Sequence, residues 1–226
     1  MTPVKLISYS TPAKDFLEES GLDKDSSVKE LIAYCARVSN PSNQANTQTI
    51  DKLLSYLIKH QHWSPFEMVN VCMEINTTRD IARQILRHRS FSYQEFSQRY
   101  ANPEALGDHF VIREARLQDT KNRQNSIQCD DFDLEMTWIS KQTQVIEAAS
   151  DAYNWAIANG IAKEQARAVL PEGLTKSKLY MNGTIRSWIH YIELREKNGT
   201  QKEHMDIAVE CAKAISKVFN YKENKL

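Results

Sequence analysis

The sequence FEMVNVCMEINTTRDIARQILRHRSFSYQEFSQRY, residues 66–100, decides the architecture because a strand pattern runs directly into a helix pattern. Apolar residues occupy every second position of its first part, a spacing typical of a half-buried strand: Val69, Val71, Met73 and Ile75. From about Thr78 the spacing becomes that of a helix. A strand that continues into a helix predicts an α/β (α+β) fold, in which a mixed or antiparallel sheet is flanked by helices.

The predicted helix carries arginine at every fourth position, at Arg79, Arg83 and Arg87. Residues four apart share a helix face, and neighbouring apolar residues supply the buried side: Ile81, Ala82, Ile85 and Leu86. No lysine occurs between Lys59 and Lys121, although seven arginines do. Because the guanidinium is a planar fork that binds phosphate or carboxylate, the segment predicts an anion site. The alternative is an ion-pair network with nearby acidic residues: Glu67, Glu74, Asp80 and Glu95.

Hydrogen-bonding side chains are dense immediately after this helix, where the sequence predicts a loop at 88–100: His88, Ser90, Ser92, Gln94, Glu95, Ser97 and Arg99. Such a set suits the phosphate, sugar and base of a nucleotide together. Upstream, His62 and Ser64 follow another predicted helix. A histidine at that position can also simply cap carbonyl groups, so neither residue alone predicts a ligand site.

The rest of the chain is read from apolar periodicity and from capping residues. The predicted elements are a strand at 4–9, helices at 26–39, 47–63, 135–159 and 162–170, a strand at 173–183, and helices at 184–197 and 201–220. Residues 102–135 predict loops with a short strand around 109–113. No linker rich in proline, glycine or serine divides the sequence, so residues 1–226 are expected to form a single domain.

Composition narrows the class of protein. Lys+Arg and Asp+Glu each number 29, so the formal net charge is zero and nucleic acid is a disfavoured partner. The sequence has no apolar run of about 18 residues and no leader pattern, which predicts a cytoplasmic protein without a membrane partner. It contains neither a G-x-G-x-x-G motif nor paired metal-ligand spacing, so no Rossmann cofactor site and no metal site are predicted.

The four cysteines, Cys35, Cys72, Cys129 and Cys211, are widely spaced and include no C-x-x-C pair. We expect them to be reduced and mostly buried. Cys129 is expected to be the most exposed, because its neighbours in IQCDDFD are polar. None lies in a pattern typical of a catalytic nucleophile.

The segment MNGTIRSWIHYIELR, residues 181–195, predicts a helix with two functional faces. Helical spacing places Arg186 with His190 on one face. A second face carries three other residues: Trp188, Tyr191 and Arg195. One helix can therefore contact two ligands. The alternative is that Trp188 belongs to the core and Arg195 is an ordinary positive charge at a helix C-terminus.

The loop RHRSFSYQEFSQRY at 87–100 resembles the signature of the flavin-dependent thymidylate synthase family. Four other segments are similar to the family in its own order: ARVS at 36–39, HWSPFE at 62–67, ARAVLP at 166–171 and IRSWIHYIELR at 185–195. The resemblance implies a homotetramer of α/β subunits that binds FAD between subunits. It also implies methylation of dUMP with 5,10-methylenetetrahydrofolate and NADPH, without an enzyme nucleophile.

The resemblance also implies residue roles. FAD contacts fall on Ser39, His62, Ser64, Arg87, His88, Arg89, Glu95, Thr184, Arg186 and His190. Contacts with dUMP fall on Gln84, Arg87, Glu95, Ser97, Gln98, Arg99, Arg167 and Arg195. Arg195 matches the catalytic arginine that polarises the uracil, where a guanidinium stabilises the negative charge that develops on the ring.

Three positions depart from the family pattern: Gln94 stands where the signature usually has Asn, His190 where some members have Asn, and Met68 where others have His. Two other functions remain as alternatives. In a single-stranded nucleic-acid binder, the arginines would follow the backbone while aromatic residues stack on bases: Phe91, Tyr93, Phe96 and Tyr100. A flavoprotein of the same fold that has lost methyl transfer would bind FAD but not convert dUMP.

Overall fold

The computed structural model describes residues 3–197 and 199–219. Its strands are β1 (Val4–Tyr9), β2 (Asn70–Thr78), β3 (Ser92–Glu95), β4 (Arg116–Gln118), β5 (Ser126–Gln128) and β6 (Lys176–Thr184). Four of them form an antiparallel sheet in the order β1-β2-β6-β3, and β4 pairs with β5 in a separate hairpin. A mixed or antiparallel sheet was expected, and the sheet is antiparallel.

The helices are α1 (Lys14–Ser20), α2 (Val28–Ala36), α3 (Ile50–Lys59), α4 (Arg79–Ile85), α5 (Phe132–Ala158), α6 (Lys163–Ala166), α7 (Ile185–Arg195) and α8 (Lys202–Ile215). Short 3-10 turns occur at Pro41–Asn43, Ser64–Glu67, Pro103–Leu106 and Arg167–Val169. Within the described ranges, no helix is both long enough and apolar enough to cross a bilayer. Two strands of the sheet continue directly into helices, β2 into α4 and β6 into α7.

One face of the sheet holds the main core. Alternate residues of β2 and β6 are completely buried there: Val71, Met73, Ile75, Leu179 and Met181. Helices α7 and α8 pack on this face, and each fully buried apolar side chain contributes about 1.5–3 kcal/mol of transfer free energy. The opposite face is more polar, and Tyr180 on it is 40% exposed. The alternation expected for residues 69–75 is confirmed.

A glycine fixes how the loop after α4 meets α7. A Cβ added at Gly183 would lie 2.6 Å from Cε1 of the Phe91 ring, closer than real side chains approach. Without that atom, Phe91 packs edge-on against Trp188, with ring centroids 4.9 Å apart. The start of the 88–100 segment is thus held against the face of α7 that leads to Arg195.

Several expectations from the sequence were wrong. The predicted loop at 88–100 contains strand β3, which pairs with β6 through Ser92–Glu95. The predicted strand at 109–113 is only an isolated bridge between Phe110 and Thr175. Helix α5 begins before residue 135, because the Asp131 side chain caps it by accepting from the Leu134 N–H at 3.0 Å. The predicted helix at 201–220 ends at Ile215, and its last predicted residue lies outside the described ranges.

The cysteines also differ from expectation. Cys129 is 9% exposed and its Sγ lies 3.8 Å from the Asp131 carbonyl, since the chain turns back there at the start of α5. Cys35 and Cys72 are the partly exposed ones, while Cys211 is buried as expected. All four are free thiols. The prediction that Cys129 is exposed was wrong. It relied on the polar residues next to Cys129 in the sequence, whereas the turn at the start of α5 buries the side chain.

Candidate functional site

The first two arginines of α4 belong to an ion-pair network. Arg83 contacts Glu95 at 3.0 Å, and Glu95 also accepts from the Ser177 hydroxyl at 2.9 Å. Glu172 lies 3.5 Å from Arg83 and 3.8 Å from Arg79. Burial, together with the charge of Arg83, lowers the pKa of Arg79. For these two arginines the ion-pair alternative is the one observed, and Glu95 already has partners on both sides.

Arg87 and Arg89 are different. Both are exposed, and among the described residues neither guanidinium makes a hydrogen bond or an ion pair. They flank His88 at the point where α4 has ended and the chain turns toward β3. Two unpaired guanidinium groups on one loop are suited to an anion that brings its own negative charge.

His88 and Arg195 meet although they are 107 positions apart in the sequence. The Nε of Arg195 donates to Nε2 of His88 at 3.0 Å. Burial, with a smaller contribution from the charge of Arg195, lowers the pKa of His88 to about 4. The imidazole is therefore neutral at pH 7 and accepts at Nε2, which leaves the positive charge on Arg195.

The first residues of α7 meet the turn after α3. Arg186 forms an ion pair with Glu67, and the His190 ring packs edge-on against Trp63 with centroids 4.7 Å apart. Burial and the charge of Arg186 lower the pKa of His190. His62 and Ser64 are exposed on this same turn. Tertiary packing thus brings together the candidates from HWSPFE and from α7.

The second face of α7 is mostly core, so the prediction that it offers three residues to a ligand was wrong. Trp188 is fully buried and donates from Nε1 to the Val71 carbonyl at 2.9 Å. Tyr191 is 1% exposed. Arg195, in the last turn of the helix, is the residue of this face that reaches the surface.

Arg99 and Arg167 meet at Glu164. Arg99 lies 3.4 Å from the Glu164 carboxylate, and Arg167 donates from Nε to the Glu164 carbonyl at 3.3 Å. Ser97 is only partly exposed and accepts from the Arg99 N–H. Gln98 is 2% exposed, and no partner for its Nε2 appears among the described residues. The two arginines form a second cationic group, separate in the chain from Arg87 and Arg89.

Three further candidates have structural contacts. Thr184 is the N-cap of α7 and accepts from the Ser187 N–H at 3.2 Å. Ser39 is exposed after α2, next to the buried Arg37, which holds the following loop by donating to Thr49 at 2.9 Å. Gln84 accepts from His204 at 3.2 Å and donates to Gln201 at 2.7 Å.

Sequence reasoning missed two polar residues, the buried His204 and the partly buried Arg113. His204 is completely buried in α8, and Arg113 donates to Asp80, Thr78 and the Gly173 carbonyl within 2.7–3.1 Å. Neither belongs to a motif, so no local signal identifies them. Burial raises the pKa of the Cys35, Cys72 and Cys211 thiols. In the part of the chain that the structure describes, no cluster of three or more His, Cys, Asp or Glu can hold a metal ion.

Comparison with solved structures identifies the fold. A UMP/dUMP methylase from Streptomyces cacaoi, bound with 5-Br dUMP, superposes with a TM-score of 0.77 at 24% identity. The match covers 95% of this chain and 90% of the methylase. The sheet and helices described above therefore have the same fold as that protein.

Sequence comparison then gives the family. A family model described as thymidylate synthase complementing protein matches residues 22–219. A probable flavin-dependent thymidylate synthase of Paramecium bursaria Chlorella virus 1 is 48% identical over 216 residues, which are 95% of this chain and 94% of the relative. A flavin-dependent thymidylate synthase of Synechocystis sp. is 51% identical over 195 residues, or 85% and 86% of the two chains. The chain belongs to the flavin-dependent thymidylate synthase family, which confirms the resemblance.

Proposed function

We propose that this protein is a methyltransferase that converts dUMP to dTMP. The methylene group comes from 5,10-methylenetetrahydrofolate, and FAD reduced by NADPH supplies the hydride. The observation that carries the proposal is the contact between His88 and Arg195, which joins the signature loop to the end of α7 at 3.0 Å. Together with the family match over residues 22–219, it provides the cationic group that uracil methylation requires.

The exposed arginines and the histidine of the candidate site are compatible with FAD binding. Its pyrophosphate carries negative charge, and Arg87 and Arg89 are exposed guanidinium groups without a protein partner among the described residues. His190 offers a neutral ring, since its pKa is lowered by burial and by Arg186. The other residues assigned to FAD are Ser39, His62, Ser64, His88, Glu95, Thr184 and Arg186. When bound, the flavin supplies the hydride.

Arg195 is the catalytic residue of this proposal. Because His88 is neutral and accepts from its Nε, Arg195 keeps its full charge and a fixed orientation. A guanidinium held beside the pyrimidine stabilises negative charge as it develops, and one such donor is typically worth about 2.7–4 kcal/mol in the transition state. His88 therefore orients Arg195 through a hydrogen bond.

Arg99 and Arg167 would bind the phosphate of dUMP. The carboxylate of Glu164 that Arg99 contacts is half exposed, as is Arg99 itself, so a phosphate dianion can replace it at low cost. The remaining residues assigned to the nucleotide are Gln84, Arg87, Glu95, Ser97 and Gln98. No enzyme thiol takes part, and the raised pKa values of Cys35, Cys72 and Cys211 agree with inert thiols.

Self-association as a homotetramer, with sites between subunits, is part of the proposal. Helix α5 is 27 residues long and exposes large apolar side chains along its length: Phe132, Leu134, Met136, Trp138, Val145 and Trp155. Such a surface favours a protein partner over water. Light scattering should give four times the mass of one chain. We also propose a cytoplasmic location, where dUMP and folate occur.

The experiment that tests the function starts from the visible spectrum of the purified protein. The sample is then reduced anaerobically and mixed with dUMP and methylenetetrahydrofolate. A yellow protein whose flavin is reoxidised as dTMP forms supports the enzyme. A flavoprotein that is reduced but forms no dTMP supports the alternative in which methyl transfer has been lost. A colourless protein that binds neither FAD nor dUMP rules out the proposed function.

The nucleic-acid alternative has less support from the geometry. Phe91 is 9% exposed, and the hydroxyl of Tyr93 lies 2.9 and 2.8 Å from the carbonyl oxygens of Ile85 and His88, which share its single proton. Phe91 is therefore core, Tyr93 and Phe96 are only partly exposed, and Tyr100, 78% exposed, remains for stacking on a base. A single-stranded binder relies on several exposed rings in a row.

A further inference from the structure

A chain of hydrogen bonds passes through Gln84 of the proposed nucleotide site. It is buried at Tyr191 and His204 and exposed at Gln201. It links five side chains in the order Tyr191, His204, Gln84, Gln201 and Glu203. Tyr191 and His204 are 3.1 Å apart at the hydroxyl and Nε2. His204 Nδ1 and Gln84 Oε1 are 3.2 Å apart, and Gln84 Nε2 donates to Gln201 Oε1 at 2.7 Å. The Gln201 amide then donates to Glu203 at 2.9 Å.

The direction of every bond in this chain is set by its carboxylate end. Glu203 contacts Arg113 at 3.1 Å. Burial alone would raise the pKa of Glu203, but its own backbone N–H, Arg113 and Gln201 together lower it. Glu203 is therefore ionised and can only accept, so Gln201 must donate from Nε2 and accept at Oε1. The same rule makes Gln84 donate from Nε2 and accept at Oε1.

This direction determines the state of His204. Since Gln84 accepts at Oε1, Nδ1 of His204 carries the hydrogen, and the unprotonated Nε2 accepts from the Tyr191 hydroxyl. Burial, with a smaller contribution from the charge of Arg195, lowers the pKa of His204 to about 3, so the ring stays neutral at pH 7. His204 is fully enclosed and has no access to a ligand of its own.

We propose that His204 is a positioning residue that fixes the rotamer and the amide orientation of Gln84 for nucleotide binding. If the Gln84 amide flipped, its N–H group would face the His204 N–H and its oxygen would face the Gln201 oxygen. Two hydrogen bonds would be lost, so the chain selects one orientation. In that orientation Gln84 keeps one N–H and one oxygen lone pair for dUMP. This inference rests on the proposed function.

The chemistry of the imidazole suggests three substitutions. Asn places its amide near the position of Nδ1, so His204→Asn preserves the donor to Gln84. Gln places its amide near the position of Nε2, so His204→Gln preserves the contact with Tyr191. His204→Leu preserves neither. Ile215→Val is the control, because Ile215 is buried on the same helix and takes no part in the chain.

The experiment measures the FAD content of each holoenzyme, the Kd for dUMP by calorimetry, and kcat and KM. His204→Leu should raise the Kd and KM for dUMP about tenfold, as for one lost positioning hydrogen bond, while kcat and FAD content change little. His204→Asn should recover most of the affinity and His204→Gln less of it. Ile215→Val should bind dUMP like the wild type.

A double-mutant cycle separates positioning from general destabilisation. In a Gln84→Leu background, His204→Leu should have no further effect on the Kd for dUMP, because the side chain it positions is absent. An undiminished effect in that background would overturn the inference, as would unchanged dUMP affinity in folded His204→Leu protein. If His204→Leu does not fold, equal affinities of His204→Asn and His204→Gln overturn it. Wild-type protein that binds no dUMP would instead overturn the proposed function itself.

Discussion

The two halves of the arginine row at 79–89 differ in what their guanidinium groups contact. Arg79 and Arg83 lie within 4 Å of Glu172, and Arg83 also contacts Glu95. Arg87 and Arg89 make no such contact among the described residues and are exposed. Residue type is the same in both halves, but Arg79 and Arg83 lie in α4, whereas Arg87 and Arg89 follow its end at Ile85. The presence or absence of an acidic partner therefore distinguishes arginines that hold the fold together from arginines that can receive a ligand.

The largest effect is expected at Arg195, which the signature loop orients through His88. Arg195→Ala should reduce dTMP formation by about 10²–10³-fold, because it removes the charge that stabilises the uracil anion. FAD should remain bound, which the visible spectrum of the variant will show. Arg195→Lys is the matched control. Its rate of dTMP formation should lie between those of the wild type and Arg195→Ala, since lysine keeps the charge without the planar fork. Turnover of Arg195→Ala within about tenfold of the wild type would remove Arg195 from the catalytic role.

The contrast within the arginine row is tested by a pair of substitutions four positions apart. Arg87→Ala should weaken FAD binding by about 1.5–3 kcal/mol, the usual value of a charge-assisted hydrogen bond. Arg83→Ala should leave FAD affinity nearly unchanged and lower the free energy of unfolding by about 1 kcal/mol or less, because its ion pairs are partly exposed. Flavin titration and urea unfolding measure the two quantities. Equal losses of FAD affinity in both variants would contradict the distinction.

The burial of His88 in the signature loop, next to Arg195, should make stability depend on pH. His88 has a pKa of about 4 in the fold, against 6.5 when unfolded. Above pH 6.5 it is neutral in both states. Between about pH 6.5 and 4 the unfolded chain binds a proton that the folded one does not, so stability falls as the pH falls, by up to about 1.4 kcal/mol per pH unit. Below about pH 4 the contribution of His88 to the free energy of unfolding becomes constant.

Urea unfolding of the wild type and of His88→Gln across this range measures the effect. The variant should show a smaller slope between pH 6.5 and 4. The neutral His204 contributes a slope of the same sign in both proteins, so the difference between them isolates His88. Parallel slopes would mean that His88 is not held neutral by its surroundings.

The smallest effect is expected at the cysteines. Cys72→Ser and Cys129→Ala should each retain turnover within about twofold, because burial raises the pKa of the Cys72 thiol, and Cys129 is buried with its Sγ 3.8 Å from the Asp131 carbonyl. Their circular dichroism should match that of the wild type. Loss of dTMP formation in a folded cysteine variant would show that an enzyme nucleophile is needed after all.

Strong periodicity was sufficient to predict the main elements. Strand β2, helix α3 and helix α7 carry long apolar patterns, and each lies where its pattern predicts. Helix α1 was missed because it is seven residues long, buries no side chain and has no capping hydrogen bond. Strand β3 was missed because its four residues become a strand only by pairing with β6. Short elements take their conformation from neighbours that the local sequence does not specify.

The sequence by itself determined the family, the strand-to-helix order and the set of arginines from which the proposed site is built. Tertiary structure decided which of them are paired. Arg83 meets Glu95 within the same segment, but His88 meets Arg195 across 107 positions and His204 meets Gln84 across 120. The spacing of apolar residues in the sequence indicates which face of a helix is buried, because burial depends on side-chain polarity. It does not indicate which residues pack against that face, because those residues are determined by the register of β2 on β6 and by the packing of α7 and α8.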